Sequence, residues 1–157
     1  MRIKAPKRQT PLSNKPSVAL RQALSDLKWV EKSKRFDVDM DWWVTSYSSV
    51  CEVCLAGSVL IRRTKYAQEI IDTNFGDQVI CEELIWEQSK TLREKMYALN
   101  NARSARWEHF IRRWPSYKKQ MKKALTWLPE FSTYEQDPKE FKAGLLKAAK
   151  VFEKHGC

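Results

Sequence analysis

Residues 50–61 read VCEVCLAGSVLI, and nearly every position in this stretch is apolar or small. A helix that is apolar all round is buried on most of its sides. Ser49 and Glu52 have the residue types and the spacing of a capping box, which predicts that the helix begins near Ser49. Small residues at 56–58 would let a second helix approach closely. The stretch therefore predicts a buried central helix around which the other elements pack.

The chain on either side of this stretch has mostly helical periodicity. The pattern predicts helices over residues 16–31, 79–99, 102–113, 116–128 and from 138 to a stop at 156. Residues 36–42 alternate between apolar and acidic side chains, which is typical of a short extended segment. The strongest helix signal is Asp137 followed by Pro138, because these types are preferred at the N-cap and at the first helical position.

Length and composition favour one helical domain. The chain has 157 residues and only four glycines, which favours helices over a turn-rich β fold. We expect an all-α single compact domain, residues 16–157, with about five to six helices around the buried central helix. Residues 1–15 (MRIKAPKRQTPLSNK) are basic, contain two prolines and lack periodicity, so we expect them to form a flexible basic arm.

Targeting signals are not evident in the sequence. No apolar run approaches the ~20 residues needed to span a bilayer, and the N-terminus lacks the apolar region of a secretory signal. Four cysteines without such a signal indicate free thiols in a reducing compartment. We therefore expect a cytoplasmic protein with no membrane partner.

The net charge of +10 is divided into blocks. Residues 1–36 contain ten Lys and Arg against two acids, and residues 89–128 contain eleven against two. Residues 37–88 reverse the sign, with three basic residues against ten acids, and residues 129–157 are balanced. Such blocks steer binding to polyanions or to charged partners. They indicate a protein that acts by binding.

The basic stretch 103–123 is the candidate nucleic-acid surface. Helical spacing directs its cations away from the apolar stripe; they are Arg103, Arg106, Arg112, Arg113, Lys118, Lys119, Lys122 and Lys123. Cations neutralise phosphates, and interleaved aromatics such as Trp107 and Trp114 can stack on bases. The alternative is that the aromatics belong to the core and the cations only solubilise the outer face. We expect nucleic acid, or a protein complex that handles it, as the partner.

The acidic block offers a different binding surface. Its candidate residues are Asp37, Asp39, Asp41, Glu82, Glu83 and Glu87. An acidic surface of this kind can compete for sites that normally hold nucleic acid. The alternative hypothesis is therefore a protein that inhibits a partner by protein–protein binding.

Catalytic motifs are weak. Cys51 and Cys54 have the spacing of a zinc or redox pair, but the other Cys and His residues are scattered singly and no βαβ pattern precedes the pair. Packed thiols are the simpler interpretation. No triad and no glycine-rich phosphate loop can be assigned. We expect no enzymatic activity, no cofactor and no metal, and keep a zinc or redox protein as a second alternative.

Residues 51–59 read CEVCLAGSV and follow a Trp42-Trp43 pair, and residues 92–100 read LREKMYALN. This combination resembles a family of small phage-encoded proteins in which a C-x-V-C-L-A-G-A-V-M run follows a Trp-containing segment. The resemblance covers roughly residues 40–105, and Ser58 and Leu60 depart from the pattern. It implies a phage setting in a host cytoplasm. Small phage proteins of this kind often block host defence by binding a defence complex, so the resemblance implies an anti-CRISPR-like inhibitor.

Overall fold

The computed structural model describes residues 4–33, 36–38, 44–47, 50–65, 68 and 87–157. Within these ranges the chain forms six α-helices: α1 Pro16–Ser33, α2 Leu55–Arg63, α3 Lys90–Asn100, α4 Trp107–Arg112, α5 Lys118–Ala124 and α6 Pro138–Lys154. Three short strands precede α2: β1 Phe36–Val38, β2 Val44–Tyr47 and β3 Val50–Val53. Single 3-10 turns cover Ser104–Arg106, Pro115–Tyr117 and Leu125–Trp127.

Helix α1 forms as predicted. Its Leu20, Leu24 and Leu27 are buried at helical spacing, and the helix packs against α6 and α2. Cys157, which follows α6, also bonds to α1: the backbone N–H of Ser17 donates to the carbonyl of Cys157 over 3.0 Å.

The central helix begins later than predicted. Residues 50–53 form strand β3, and α2 starts at Leu55 with Cys54 as its N-cap. The expected start near Ser49 was wrong because β3 pairs with strands on both sides, a non-local contact that outweighs a local capping pattern. From Leu55 to Ile61 every residue of α2 is buried, so the prediction of a buried central helix is confirmed.

A small sheet leads into α2. Its strand order is β1-β3-β2, with β1 parallel and β2 antiparallel to β3. Phe36 pairs with Cys51 and Val44 pairs with Val53. The extended segment expected over 36–42 is observed at Phe36–Val38, and residues 39–42 lie outside the described residues.

Helix α3 begins at Lys90, where the Ser89 hydroxyl accepts from the N–H of Leu92 over 3.1 Å. The expected helix over 79–99 is confirmed only in this part, and residues 79–86 lie outside the described ranges. Asn100 ends the helix and joins it to α2: its Oδ1 accepts from the N–H of Ala56 over 2.9 Å.

Helices α4 and α5 lie within the ranges predicted for the fourth and fifth helices, 102–113 and 116–128, but are shorter because 3-10 turns flank them. Trp107 and Phe110 of α4 pack against Phe152 of α6, with ring centroids 6.1 Å and 5.9 Å from that of Phe152. The indole N–H of Trp107 donates to the carbonyl of Pro129 over 3.1 Å. These contacts fix the orientation of α4, and with it the side chains on its outer face.

The sequence signals predicted for the start and end of α6 are all observed. The Asp137 carboxylate accepts from the N–H of Glu140, Pro138 is the first helical residue, and Gly156 follows the helix with a positive φ of 80°. Gly144 faces Phe131 so closely that a Cβ atom at that position would lie 2.3 Å from the phenyl ring. The absent side chain is therefore what lets Phe131 pack on this helix.

The basic N-terminal segment is docked in its described part, residues 4–15. The N–H of Gln9 donates to the carbonyl of Arg62 over 2.7 Å, and the N–H of Ser13 donates to Gln22 Oε1 over 2.7 Å. Leu12 packs against the core. Backbone groups of this part of the segment therefore find partners on α1 and α2. The division of the chain into a flexible arm, residues 1–15, and a helical domain stays a prediction.

The fold is helical with one hydrophobic core, as predicted, and the small sheet is an addition to that prediction. The core cluster contains residues of all six helices. In the ranges that the structure describes, no helix is both long enough and apolar enough to span a membrane.

Candidate nucleic-acid interface

Two short helices, α4 and α5, carry five of the eight predicted cations, and the other three flank α4. In α4, Phe110 and Ile111 are buried, which turns Glu108 and Arg112, one helical turn apart, outward. In α5, Met121 and Ala124 are buried, which leaves its lysines in solvent. The local cause is the alternation of apolar and basic residues at a period of 3.6.

We define the basic face as the eight cations predicted from the sequence. Six of them are exposed: Arg106, Arg112, Lys118, Lys119, Lys122 and Lys123. Arg103 and Arg113 are half-buried. All eight therefore reach solvent at least in part, along one stretch of chain, residues 103–123.

The basic face is almost without counter-charges. Arg113 forms an ion pair with Glu94 of α3, with 3.5 Å between Nη1 and Oε1. Within the described part of the chain, the other seven side chains have neither an ion pair nor a hydrogen bond. Glu108 is the single acid between residues 103 and 128. The face is thus a concentrated positive surface that is open to an external anion.

A cleft lies between α4 and α5 within this face. It has a volume of about 430 Å³ and is lined by Glu108, Ile111, Arg112, Lys118, Lys122 and Leu125. Three of the eight cations therefore share one concavity, whereas Lys119 and Lys123 lie outside it. The sequence did not predict the cleft.

The interleaved aromatics do not belong to the surface. Trp107 is 4% exposed and Trp114 is 1% exposed, so both are core residues. The interpretation that these aromatics belong to the core is confirmed, because their helical spacing places them on the buried stripe. Trp127, which the sequence analysis did not single out, is 68% exposed in the 3-10 turn that continues α5. Trp127 lies three residues after the buried Ala124, so helical spacing did not predict its exposure.

The acidic block cannot be assembled from the described residues. Asp37 lies in β1 and Glu87 is exposed before α3. Asp39, Asp41, Glu82 and Glu83 lie outside the described ranges. The inhibitor hypothesis therefore stays a prediction.

Extended backbone separates Cys51 from Cys54. Cys51 lies in strand β3, and Cys54 is also extended, with φ −93° and ψ −174°. Three residues of extended chain span about 10 Å. A disulfide requires Cα atoms about 4.4–6.8 Å apart. This backbone spacing is too long for a disulfide, and the zinc or redox role of the pair stays a prediction.

Cys54 has a structural role at the start of α2. Its Sγ accepts from the N–H of Gly57 and from Nδ2 of Asn100, both at 3.3 Å. Burial raises the pKa of the Cys54 thiol to about 11, against the lowering effect of these hydrogen bonds. A thiol of this kind is a poor nucleophile and a poor metal ligand at neutral pH. Among the described residues, no group of three His, Cys, Asp or Glu side chains could hold a metal.

A second group of cations is buried and paired. Arg63 bonds Asp26 at both ends, with Nε–Oδ2 at 2.7 Å and Nη2–Oδ1 at 3.1 Å. Arg62 lies 3.6 Å from the same carboxylate and 4.8 Å from the ring centre of Trp29. Burial raises the pKa of Asp26 to about 6, and both arginines oppose that rise. We call this group the Asp26 cluster.

Comparisons of the chain with protein-family models, with curated proteins and with solved structures find no match.

Proposed function

We propose that this protein is a non-enzymatic binding protein that contacts the phosphate backbone of nucleic acid through the basic face of α4 and α5. The observation that carries the proposal is the lack of counter-charges: among the described residues, seven of the eight cations have no ion-pair partner. Unpaired surface cations are available to neutralise phosphates, and each contact releases condensed counterions.

Two further features support a polyanion as the partner. Helix α4 is anchored to the core, because Trp107 and Phe110 pack against Phe152. Trp127 leaves an exposed indole at the end of the same helical unit, where a base could stack. Phosphate contacts carry no sequence information, so we expect affinity with little sequence preference.

The test is binding of the full chain to DNA and RNA oligonucleotides at about 50 mM and about 200 mM salt. We expect a steep loss of affinity with salt. Changing Lys119, Lys122 and Lys123 together to Glu should weaken binding strongly and reduce the salt slope by about 0.9 for each lost phosphate contact.

The matched control changes Lys139, Lys147 and Lys150 to Glu. These three lysines are exposed on α6, so the variant has the same net charge as the α5 variant. We expect it to retain most of the wild-type affinity. Equal losses in both variants would show that only total charge matters, and an absence of binding at low salt would refute the function.

A further inference from the structure

The cleft between α4 and α5 differs from the rest of the basic face because it combines cations with apolar surface. Arg112, Lys118 and Lys122 surround it, while Ile111 and the half-buried Leu125 provide its apolar part. Flat phosphate-binding surfaces need only the cations. The apolar part indicates a ligand that also has an uncharged face.

The volume of the cleft suits a small unit. At about 430 Å³ it falls in the range of about 300–1,000 Å³ that is typical of small-molecule sites. Such sites are mainly apolar, with a few polar groups that fix the orientation of the ligand. Here Glu108 is the only acidic side chain lining the cleft among the described residues, and it would repel a phosphate towards the three cations.

A nucleotide has both required parts. Its phosphate needs cations, and its base has a flat face that stacks on apolar or guanidinium surfaces. Bases within a duplex are stacked on one another and cannot enter a cleft without the cost of unstacking. A single strand exposes its bases at little cost, so a cleft of this kind discriminates between the two forms.

We propose that the α4–α5 cleft holds one unstacked nucleotide of a single strand, with its phosphate on Arg112, Lys118 and Lys122 and its base against Leu125. This inference rests on the proposed function and adds to it a preference for single-stranded over double-stranded nucleic acid. Lys119 and Lys123 lie outside the cleft and contribute only electrostatic attraction to the phosphate backbone of the strand.

The two lysine pairs of α5 give a matched test. One variant carries Lys118→Gln and Lys122→Gln in the cleft, and the other carries Lys119→Gln and Lys123→Gln outside it. Both lose two charges from the same helix. Fluorescence anisotropy with a single strand of about 12 nucleotides and with the corresponding duplex measures both affinities. We expect the cleft pair to lower single-strand affinity about tenfold more than the outer pair, with equal losses on the duplex.

A second variant, Leu125→Ala, removes the apolar surface against which the base would lie, at unchanged net charge. We expect it to lose about tenfold in single-strand affinity, the value of one stacked base, and less than about twofold in duplex affinity. Thermal unfolding confirms that the variant is folded; if it is not, the lysine pairs decide. Equal effects of the two pairs on both probes would overturn the cleft but leave the proposed function intact. Failure of the wild-type protein to bind either probe at low salt would overturn both.

Discussion

The Asp26 cluster and the basic face both contain closely spaced cations, but they differ in what lies opposite the charge. In the cluster, the guanidinium of Arg63 meets a carboxylate that is 0% exposed. On the basic face, Arg112, Lys118 and Lys122 meet solvent across a cleft. A buried charge must be paired to be tolerated, whereas an unpaired surface charge costs little and stays available for a partner.

This difference separates cations that stabilise the fold from cations that we propose to bind a partner. Arg62 and Arg63 are adjacent in sequence, as Arg112 and Arg113 are, and the pairs cannot be told apart by residue type. The two pairs differ in the group that the cation faces: Arg63 faces the buried carboxylate of Asp26, whereas Arg112 faces solvent in the cleft. We therefore expect substitutions in the Asp26 cluster to change stability, and substitutions on the basic face to change binding.

The largest expected effect is that of Asp26→Ala. It leaves two arginines, 12% and 8% exposed, without their carboxylate, and breaking a buried pair from one side costs about 3–5 kcal/mol. Urea denaturation measures the loss. The matched control is Glu153→Ala, because Glu153 bonds Arg21 with the same two-ended geometry but is 42% exposed. An exposed pair contributes about 0–1 kcal/mol. Equal losses in the two variants would contradict the distinction.

A smaller effect is expected from pH. Burial raises the pKa of Asp26 from 3.8 to about 6, so between these values the native state holds the proton more tightly than the unfolded chain does. The contribution of Asp26 to stability should therefore fall as pH rises from about 4 to about 6. The free energy of unfolding of the wild type, minus that of Asp26→Asn, should decrease over this window. Parallel pH profiles would show that Asp26 does not titrate there.

Local sequence signals predicted the start of α6 correctly but placed the start of α2 wrongly. Asp137, Pro138 and Glu140 act within one turn of the chain, so their effect is visible in sequence. The start of α2 depends on strand pairing with residues 36–38 and 44–47, which local capping patterns do not contain.

The sequence predicted the individual cations of the candidate site but not the cleft that three of them share. Helical periodicity placed the cations outward, and it also carried an unused signal for Asp26, which falls on the buried stripe with Ala23 and Val30. An acid on such a stripe requires a buried partner. The cleft depends on the crossing of α4 and α5, which is a tertiary property. Periodicity within each helix therefore could not reveal it.

Lys95 shares one property with each group of cations: it is buried like the Asp26 cluster, but it has no acidic partner among the described residues. It is 6% exposed, yet among the described residues its ammonium has neutral partners: Asn14 Oδ1 at 2.5 Å and the ring centre of Trp114 at 4.8 Å. Burial lowers the pKa of Lys95. Lys95→Met keeps the volume, removes the cost of burying the charge and leaves an exposed Asn14 to water, so we expect stability to change by less than about 1 kcal/mol. A loss as large as that of Asp26→Ala, measured in the same urea series, would show that neutral partners hold a buried cation as firmly as a carboxylate does.

The smallest expected change converts a paired cation into an unpaired one. Glu94→Gln releases Arg113, the one member of the basic face with an ion pair in the described part of the chain. Both side chains are about two-fifths exposed, so stability should change by less than about 1 kcal/mol. Binding should tighten, and the salt slope should steepen by up to about 0.9, because one more guanidinium can contact a phosphate. Glu153→Gln is the control, since it removes the same charge beside Arg21, on α1 rather than on the basic face. If both variants tighten binding equally, net charge alone governs affinity; if only Glu94→Gln does, pairing determines which cations take part in binding.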